Sequence, residues 1–481
     1  MAKQVLIIHG WSDTSKSFLP LAGFLSKHGY EPKLLRFGDY ISKDDDVRIE
    51  DVAKRMGEVI DAMIKSGELD KSFDMVVHST GGLVVRAWLT SWYRGAADLC
   101  PLKRLVMLGP ANYGSKLAAA GKSFLGRIVK GYDNWFQSGQ AMLNDLELAS
   151  GYQWELARRD ILIAPGGNSA RYYGENLVWP FVIAGTHPYA NLLRQIVNED
   201  GSDGTVRVCA ANLNARGVTI DFRENNPEKL FTEWGSRLEC EVPLAVLPTR
   251  THSSIIDPDR QDGDNKENIV ESPEEQAVLG NLILEALGCV DFKEYQAIQG
   301  KWQQLTEQTA TLRNAPPEGA RAEYYHQYLQ INSHVVDDYG IHVNDYFLEF
   351  FSNISKRHDD ANAYLHANVI EDVKKNSISE ALRNLYFDRT DLYEGYYALL
   401  PNKTDPTLFM SISAASPGKN INYFEREKTG AEQWIPMHLQ GTETSRWLKR
   451  NTTHFVEIII PRRPGSDVFR LTNFTKLVKN I

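Results

Sequence analysis

The sequence predicts two unlike halves: a mostly parallel β-sheet with helices on both faces, then an antiparallel β-sandwich. Three observations carry this expectation. Up to about residue 290, short apolar runs alternate with segments of helical spacing. From about residue 324, the pattern changes to alternation by twos between turn-forming residues. The chain has 481 residues and is 42% hydrophobic, enough to fill more than one core.

The first half opens with "QVLIIHG", a continuous apolar run of the kind that a strand covered on both faces requires. "SFLPLAGFLSKHGY" has helical spacing and a glycine stop at Gly29, and "EPKLLRFG" reads as a second strand. "RIEDVAKRMGEVIDAMIKSG" places Val52, Met56, Val59, Ile60 and Met63 on one helical face. "FDMVVHS" then gives a strand, "GGLVVRAWLTSWYRG" a helix and "KRLVMLGP" another strand. Residues 115–176 break the rhythm and read as an insertion over the sheet, either extra packing helices or a mobile apolar lid. "LVWPFVIAG", "TVRVCAANL" and "EVPLAVLP" resume the strands, and "SPEEQAVLGNLILEAL" is the closing helix. A polar helical linker is expected over residues 291–323, and the sandwich over 324–481.

The formal net charge of −9 argues against nucleic acid as a partner, because a phosphate-binding face needs clustered Lys and Arg. No apolar run approaches the roughly 18 residues that span a bilayer. "MAKQVLIIHGW" lacks the pattern of a cleaved secretory signal, so a cytoplasmic location is the default expectation, with export by a signal-less route as its rival. The four cysteines are irregularly spaced without a CxxC pair, and the histidines lack helical ligand spacing, so neither a metal nor a cofactor is expected.

A serine hydroxyl is a weak nucleophile at neutral pH. It needs a base in hydrogen-bond reach, a group that orients the base, and donors for the oxyanion. Ser79 sits in "VVHSTGGLVVR" between a buried strand and a helix, where a tight turn can expose its oxygen. Alone it fits an ordinary helix cap as well. Val77 stands where such turns usually carry glycine, leaving Gly81 and Gly82 to provide room. His252 in "LPTRTHSSI" follows a late strand and is the candidate base. Asp203 in "NEDGSDGTVRV" is the candidate acid, preferred over Asp200 because Thr205-Val206 leads on into an expected strand. The backbone amides of Trp11 and Thr80 are the candidate oxyanion donors. His187, at a strand end, and Trp135 and Phe136, on the insertion, are candidates to line the substrate pocket, with Met142 adding to the apolar lining. His9 and His78 read as packed neighbours of the site.

The order Ser79, Asp203, His252, with "VLIIHGW", "VVHSTGGLVVR", "VMLGPANYGS", "DGTV" and "THSSI", resembles the lipase branch of the α/β-hydrolase superfamily. The resemblance covers roughly residues 4–288, and the C-terminal part resembles accessory β-sandwiches appended to such lipases. It implies a serine hydrolase cleaving carboxylic esters with apolar acyl groups, including polyesters, through an acyl-enzyme. The alternative it leaves is an exported phospholipase whose sandwich docks on membranes. An ester or lipid is the expected partner, with a transient contact to a membrane surface.

Overall fold

The computed structural model describes residues 3–9, 15–35, 46–119, 139–189, 198–224, 230–260, 271–352, 359–423, 434–441, 446–465 and 468. Six strands form the central sheet: β1 (Lys3–Ile8), β2 (Tyr30–Leu35), β3 (Phe73–His78), β4 (Leu102–Leu108), β5 (Trp179–Gly185) and β8 (Leu244–Leu247). Their order is β8-β5-β4-β3-β1-β2, and every pairing is parallel. β3 is buried along its whole length, its apolar run of Met75, Val76 and Val77 packed on both sides and its one carboxylate, Asp74, paired with Arg104 at 3.0 Å. One apolar cluster joins Leu6, Val77 and Met107 to the helices Ile49–Ser66 and Gly81–Trp92. A second joins Ile7, Val76 and Val106 to the helices Leu19–Lys27, Pro273–Gly288 and Phe292–Thr311. The sheet is therefore covered on both faces, as the sequence predicts.

The helix Phe292–Thr311 lies directly on this sheet. Thr306 and Thr309 donate to the carbonyls of Leu244 and Val246 at 2.9 and 2.7 Å, and Tyr295 donates to that of Pro180 at 2.9 Å. The described part of the insertion holds the short helical turn Lys116–Ala119 and two longer helices, Gln140–Leu146 and Gly151–Asp160. Met142 is fully buried in the main cluster and so fills the core, where the sequence suggested a pocket-lining role.

Two further sheets make the C-terminal domain. The larger combines β6 (Ala215–Asp221) and β7 (Phe231–Glu233) with β9 (Tyr328–Asp337), β11 (Ile370–Lys375), β12 (Leu382–Asp388) and β15 (Thr452–Ile460). Its order is β11-β12-β9-β15-β6-β7. The smaller holds β10 (Tyr346–Phe351), β13 (Thr407–Ala414) and β14 (Trp434–His438), all antiparallel. Phe350, Met410 and Ile435 from the smaller sheet share a core with Val218, Leu329, Phe387 and Val456 from the larger. Within the larger sheet, β15 runs parallel to both β9 and β6, while the other pairings are antiparallel. The parallel pairs join segments far apart in sequence, which alternation by twos does not reveal.

"TVRVCAANL" departs from its expected strand. Residues Val208–Ala211 form one short helical turn. Their carbonyls are taken by neighbours: that of Cys209 by Thr453, that of Ala210 by the Tyr113 amide and that of Ala211 by Asn112. With its acceptors occupied from different directions, the segment has no flat edge to offer a ladder.

One buried ion pair fixes the helix Gly81–Trp92 to the insertion. Arg86 grips Asp160 through two bonds of 2.7 and 3.0 Å, with the two side chains 1% and 0% exposed. It also donates to the Asn112 carbonyl, and Tyr173 donates to Asp160 at 3.2 Å. Removing one member of such a pair strands the other in a medium of low polarity. Asp160→Ala is expected to destabilise the protein by about 3–5 kcal/mol, read by chemical denaturation.

Candidate active site

The site is assembled at the C-terminal ends of the parallel strands. β3 ends at His78, and the Ser79 amide extends the ladder by donating to the Leu108 carbonyl at 3.1 Å. The backbone then reverses: Ser79 has φ +54°, a region that residues with a Cβ seldom occupy. The Ser79 carbonyl accepts from the amides of Gly82 and Ala111 at 3.1 and 3.2 Å, which secures the turn. Thr80 caps the helix Gly81–Trp92, so its amide lies at the helix N-terminus beside the serine. A methyl group added at Gly81 would lie 3.2 Å from the Ile8 carbonyl oxygen and 3.5 Å from the Val77 Cβ. One at Gly82 would meet the Pro110 Cβ at 2.9 Å. The missing Cβ atoms on the helix side thus leave room for valine on the strand side.

The loop after β8 carries His252. Arg250, 1% exposed, anchors it by pairing with Glu271 at 3.1 Å and donating to the carbonyls of Asp257 and Gln276. Thr251 and Ser254 bond each other within the same loop. The His252 imidazole bridges the other two predicted residues. Its Nε2 lies 3.0 Å from Ser79 Oγ and its Nδ1 2.8 Å from Asp203 Oδ2. An ionised carboxylate can only accept, so the proton sits on Nδ1 and Nε2 is left to accept from the serine hydroxyl. Asp203 is 1% exposed, and its other oxygen takes the amides of Thr205 and Val206 at 3.0 and 2.8 Å. Its carbonyl also accepts the His252 amide at 2.9 Å. The competing Asp200 instead pairs with Arg321 at 2.5 Å.

Three supporting residues were not singled out for this role from the sequence. His78 Nε2 donates to the His252 carbonyl at 3.0 Å, and the two rings lie 4.5 Å apart. Gly109 has φ +49°, and a methyl group there would fall 2.9 Å from Asp203 Oδ2 and 3.2 Å from His252 Nδ1. At Gly185 a methyl would fall 1.9 Å from the Arg250 carbonyl oxygen and 3.2 Å from the Asp203 Cβ. Only the position of each glycine at the end of an apolar strand run signals it. His9 is buried with its ring 6.0 Å from that of Phe18.

Trp11, Trp135 and Phe136 lie outside the described residues. His187 lines a cavity of about 1070 Å³ between the two halves, with Tyr189, Thr249, Tyr324, Glu371 and Tyr386 among its walls. Among the described residues, one group could offer three ligand atoms to a metal: His326, Asp388 and Asp391, in the C-terminal domain. Burial lowers the His326 pKa, but Asp388, 2.6 Å from its Nδ1, outweighs this and holds it above the ordinary value.

The arrangement can take a proton from Ser79 and hold the resulting imidazolium against a carboxylate. Its tolerance is set at Gly109. Gly109→Ala is expected to part Asp203 from His252 and slow fluorophosphonate labelling of Ser79 by about 10²-fold. Mass spectrometry of the labelled chain over time measures the rate.

No protein-family model matches the chain, and no curated protein matches it. Among solved structures, it is similar to the phospholipase PlaB from Legionella pneumophila. The identity is 25% and the TM-score 0.76, over 98% of this chain and 97% of that one. The structure of the same phospholipase in complex with thio-NAD matches at 24% identity and a TM-score of 0.75, over 98% and 96%. The likeness runs through both halves of the chain, which therefore has the α/β-hydrolase fold with a C-terminal β-rich domain appended.

Proposed function

We propose that the chain is a serine hydrolase that cleaves the carboxylic esters of lipids, phospholipids among them. The observation that carries this reading is the continuous hydrogen-bonded line from Ser79 Oγ through the His252 imidazole to Asp203. Ser79 Oγ attacks the ester carbonyl carbon while His252 Nε2 takes the hydroxyl proton. The carbonyl oxygen becomes an oxyanion facing the amide of Thr80 at its helix N-terminus, with the Trp11 amide as the second expected donor. Collapse of this intermediate breaks the bond to the alcohol oxygen, which leaves with the proton from His252. Water then attacks the acyl-serine, His252 takes its proton, and the acid is released as Ser79 regains its hydrogen. Asp203 stays ionised throughout and stabilises the imidazolium.

The choice of phospholipid rests on the similar protein being a phospholipase, matched through the C-terminal domain as well as the hydrolase half. Such a substrate presents its ester at a lipid surface, so a transient membrane contact belongs to the same reading.

Fatty-acid release from phosphatidylglycerol and phosphatidylcholine vesicles tests it, with p-nitrophenyl acyl esters in parallel. Ser79→Ala and His252→Ala are each expected to lose about 10⁶ in kcat, and the double variant no more than either alone. Undiminished release by Ser79→Ala would overturn the serine mechanism. Cleavage of p-nitrophenyl esters with vesicles left intact would overturn the phospholipid assignment.

A further inference from the structure

Arg207 stands four residues beyond Asp203 and is 2% exposed. The segment between them is a closed loop. The Val208 amide donates to the Gly201 carbonyl at 2.9 Å, Asp203 to Val206 at 3.2 Å, and Ser202 bridges Arg207. Asp203 lies at the tip of this loop and Arg207 at its base.

The guanidinium joins the loop to three surroundings. Nε and Nη2 grip both oxygens of Glu199 at 2.9 and 2.7 Å, tying the base of the loop to the chain that enters it. Nη1 donates to Asn384 Oδ1 on β12 at 2.6 Å. The carbon at its centre lies 3.9 Å from the Tyr386 ring centroid, also on β12. Asp372 on β11 accepts at 3.3 Å, and Lys116 shares Glu199 at 2.6 Å. Burial raises the Glu199 pKa, but Arg207 and Lys116 outweigh it and hold the carboxyl at about 2. The pair is thus charged throughout the neutral range.

The C-terminal sheet fixes the loop from a second side. Tyr386 donates to the Asp200 carbonyl at 2.7 Å, and Tyr328 stacks on it at 4.8 Å. Gly201 presses so closely on Tyr328 that a methyl group there would fall 2.1 Å from its ring. Asn384 is held in turn by Asn332 on β9, at 2.7 Å.

We propose that Arg207 is a positioning residue for Asp203, through which the C-terminal β-sheet becomes a working part of the hydrolase site. A planar fork with five donors can bind a carboxylate on one edge and an amide oxygen on the other. An ammonium ion can hold only one of them in the same geometry. The proposal rests on the Ser79–His252–Asp203 reading.

The experiment uses the full chain and a p-nitrophenyl acyl ester. Three variants are compared: Arg207→Lys, Arg207→Met combined with Glu199→Gln so that no unpaired carboxylate is buried, and Asn384→Ala. Arg207→Lys and Asn384→Ala are expected to lower kcat about 10-fold and the double variant about 10²-fold, all with KM unchanged. Fluorophosphonate titration is expected to count one reactive serine per chain in each variant, labelled more slowly than in the wild type. A purely structural role would instead lower the number of titrated serines and leave the rate at each intact site unchanged; that result would overturn the proposal. So would wild-type kcat in the double variant and in Asn384→Ala while Asp203→Asn loses activity. Wild-type kcat in Asp203→Asn would overturn the triad reading itself, and the proposal with it.

Discussion

A serine with positive φ is the constraint around which this molecule is arranged. Holding a residue with a Cβ in that region costs on the order of 1 kcal/mol or more, so the surroundings must enforce it. Here the enforcement is specific. The Ser79 amide is committed to the ladder with β4, and its carbonyl to the amides of Gly82 and Ala111. The helix that follows approaches the sheet closely because Gly81 and Gly82 present no side chain. The strain lifts the hydroxyl out of the sheet toward the loop bearing His252. Gly109 and Gly185 then clear the space in which a carboxylate and an imidazole can approach each other beside the ends of β4 and β5.

The two halves meet through polar chemistry as much as through apolar packing. Gln330, Asn332, Asn384 and Thr453 are buried on the C-terminal sheet. They bond to Arg207, to one another and to the carbonyls of Tyr113 and Cys209. Asn212 reaches the Asn451 carbonyl at 2.7 Å in the same layer. Such a network adds little net stability, since each bond replaces one to water. It does define a single docking geometry, because any displacement would leave several buried polar groups unpaired. A greasy interface would tolerate sliding; this one holds the acid loop at fixed distance and angle.

Much of this was readable from residue order. The parallel sheet announces itself through continuous apolar runs, and Ser79, Asp203 and His252 stand where strands meet turns. The structure brings these three within hydrogen-bond reach. What stayed hidden depends on contacts between distant segments. Arg207 sits in "TVRVCAANL", whose apolar character suggested a strand, and its partners on β11 and β12 lie more than 160 residues away. Gly109 looks like any strand-ending glycine until a side chain from the Asp203 loop is seen against it. The parallel neighbours of β15 are invisible to a pattern with period two, which reports which face is buried but not which strand lies alongside.

The placement of β6 has a consequence for how the molecule comes into being. This strand leaves the hydrolase half and enters the C-terminal sheet between β7 and β15. Thr219 and Glu457, facing each other there, are 238 residues apart in the chain. Contacts so remote form late, after the loop entropy between them has been overcome. A ribosome that has completed the central sheet has therefore not completed the molecule. The acid loop gains its full support only when β12 supplies Asn384 and Tyr386, so assembly itself keeps the site incomplete well after most of the central sheet has emerged.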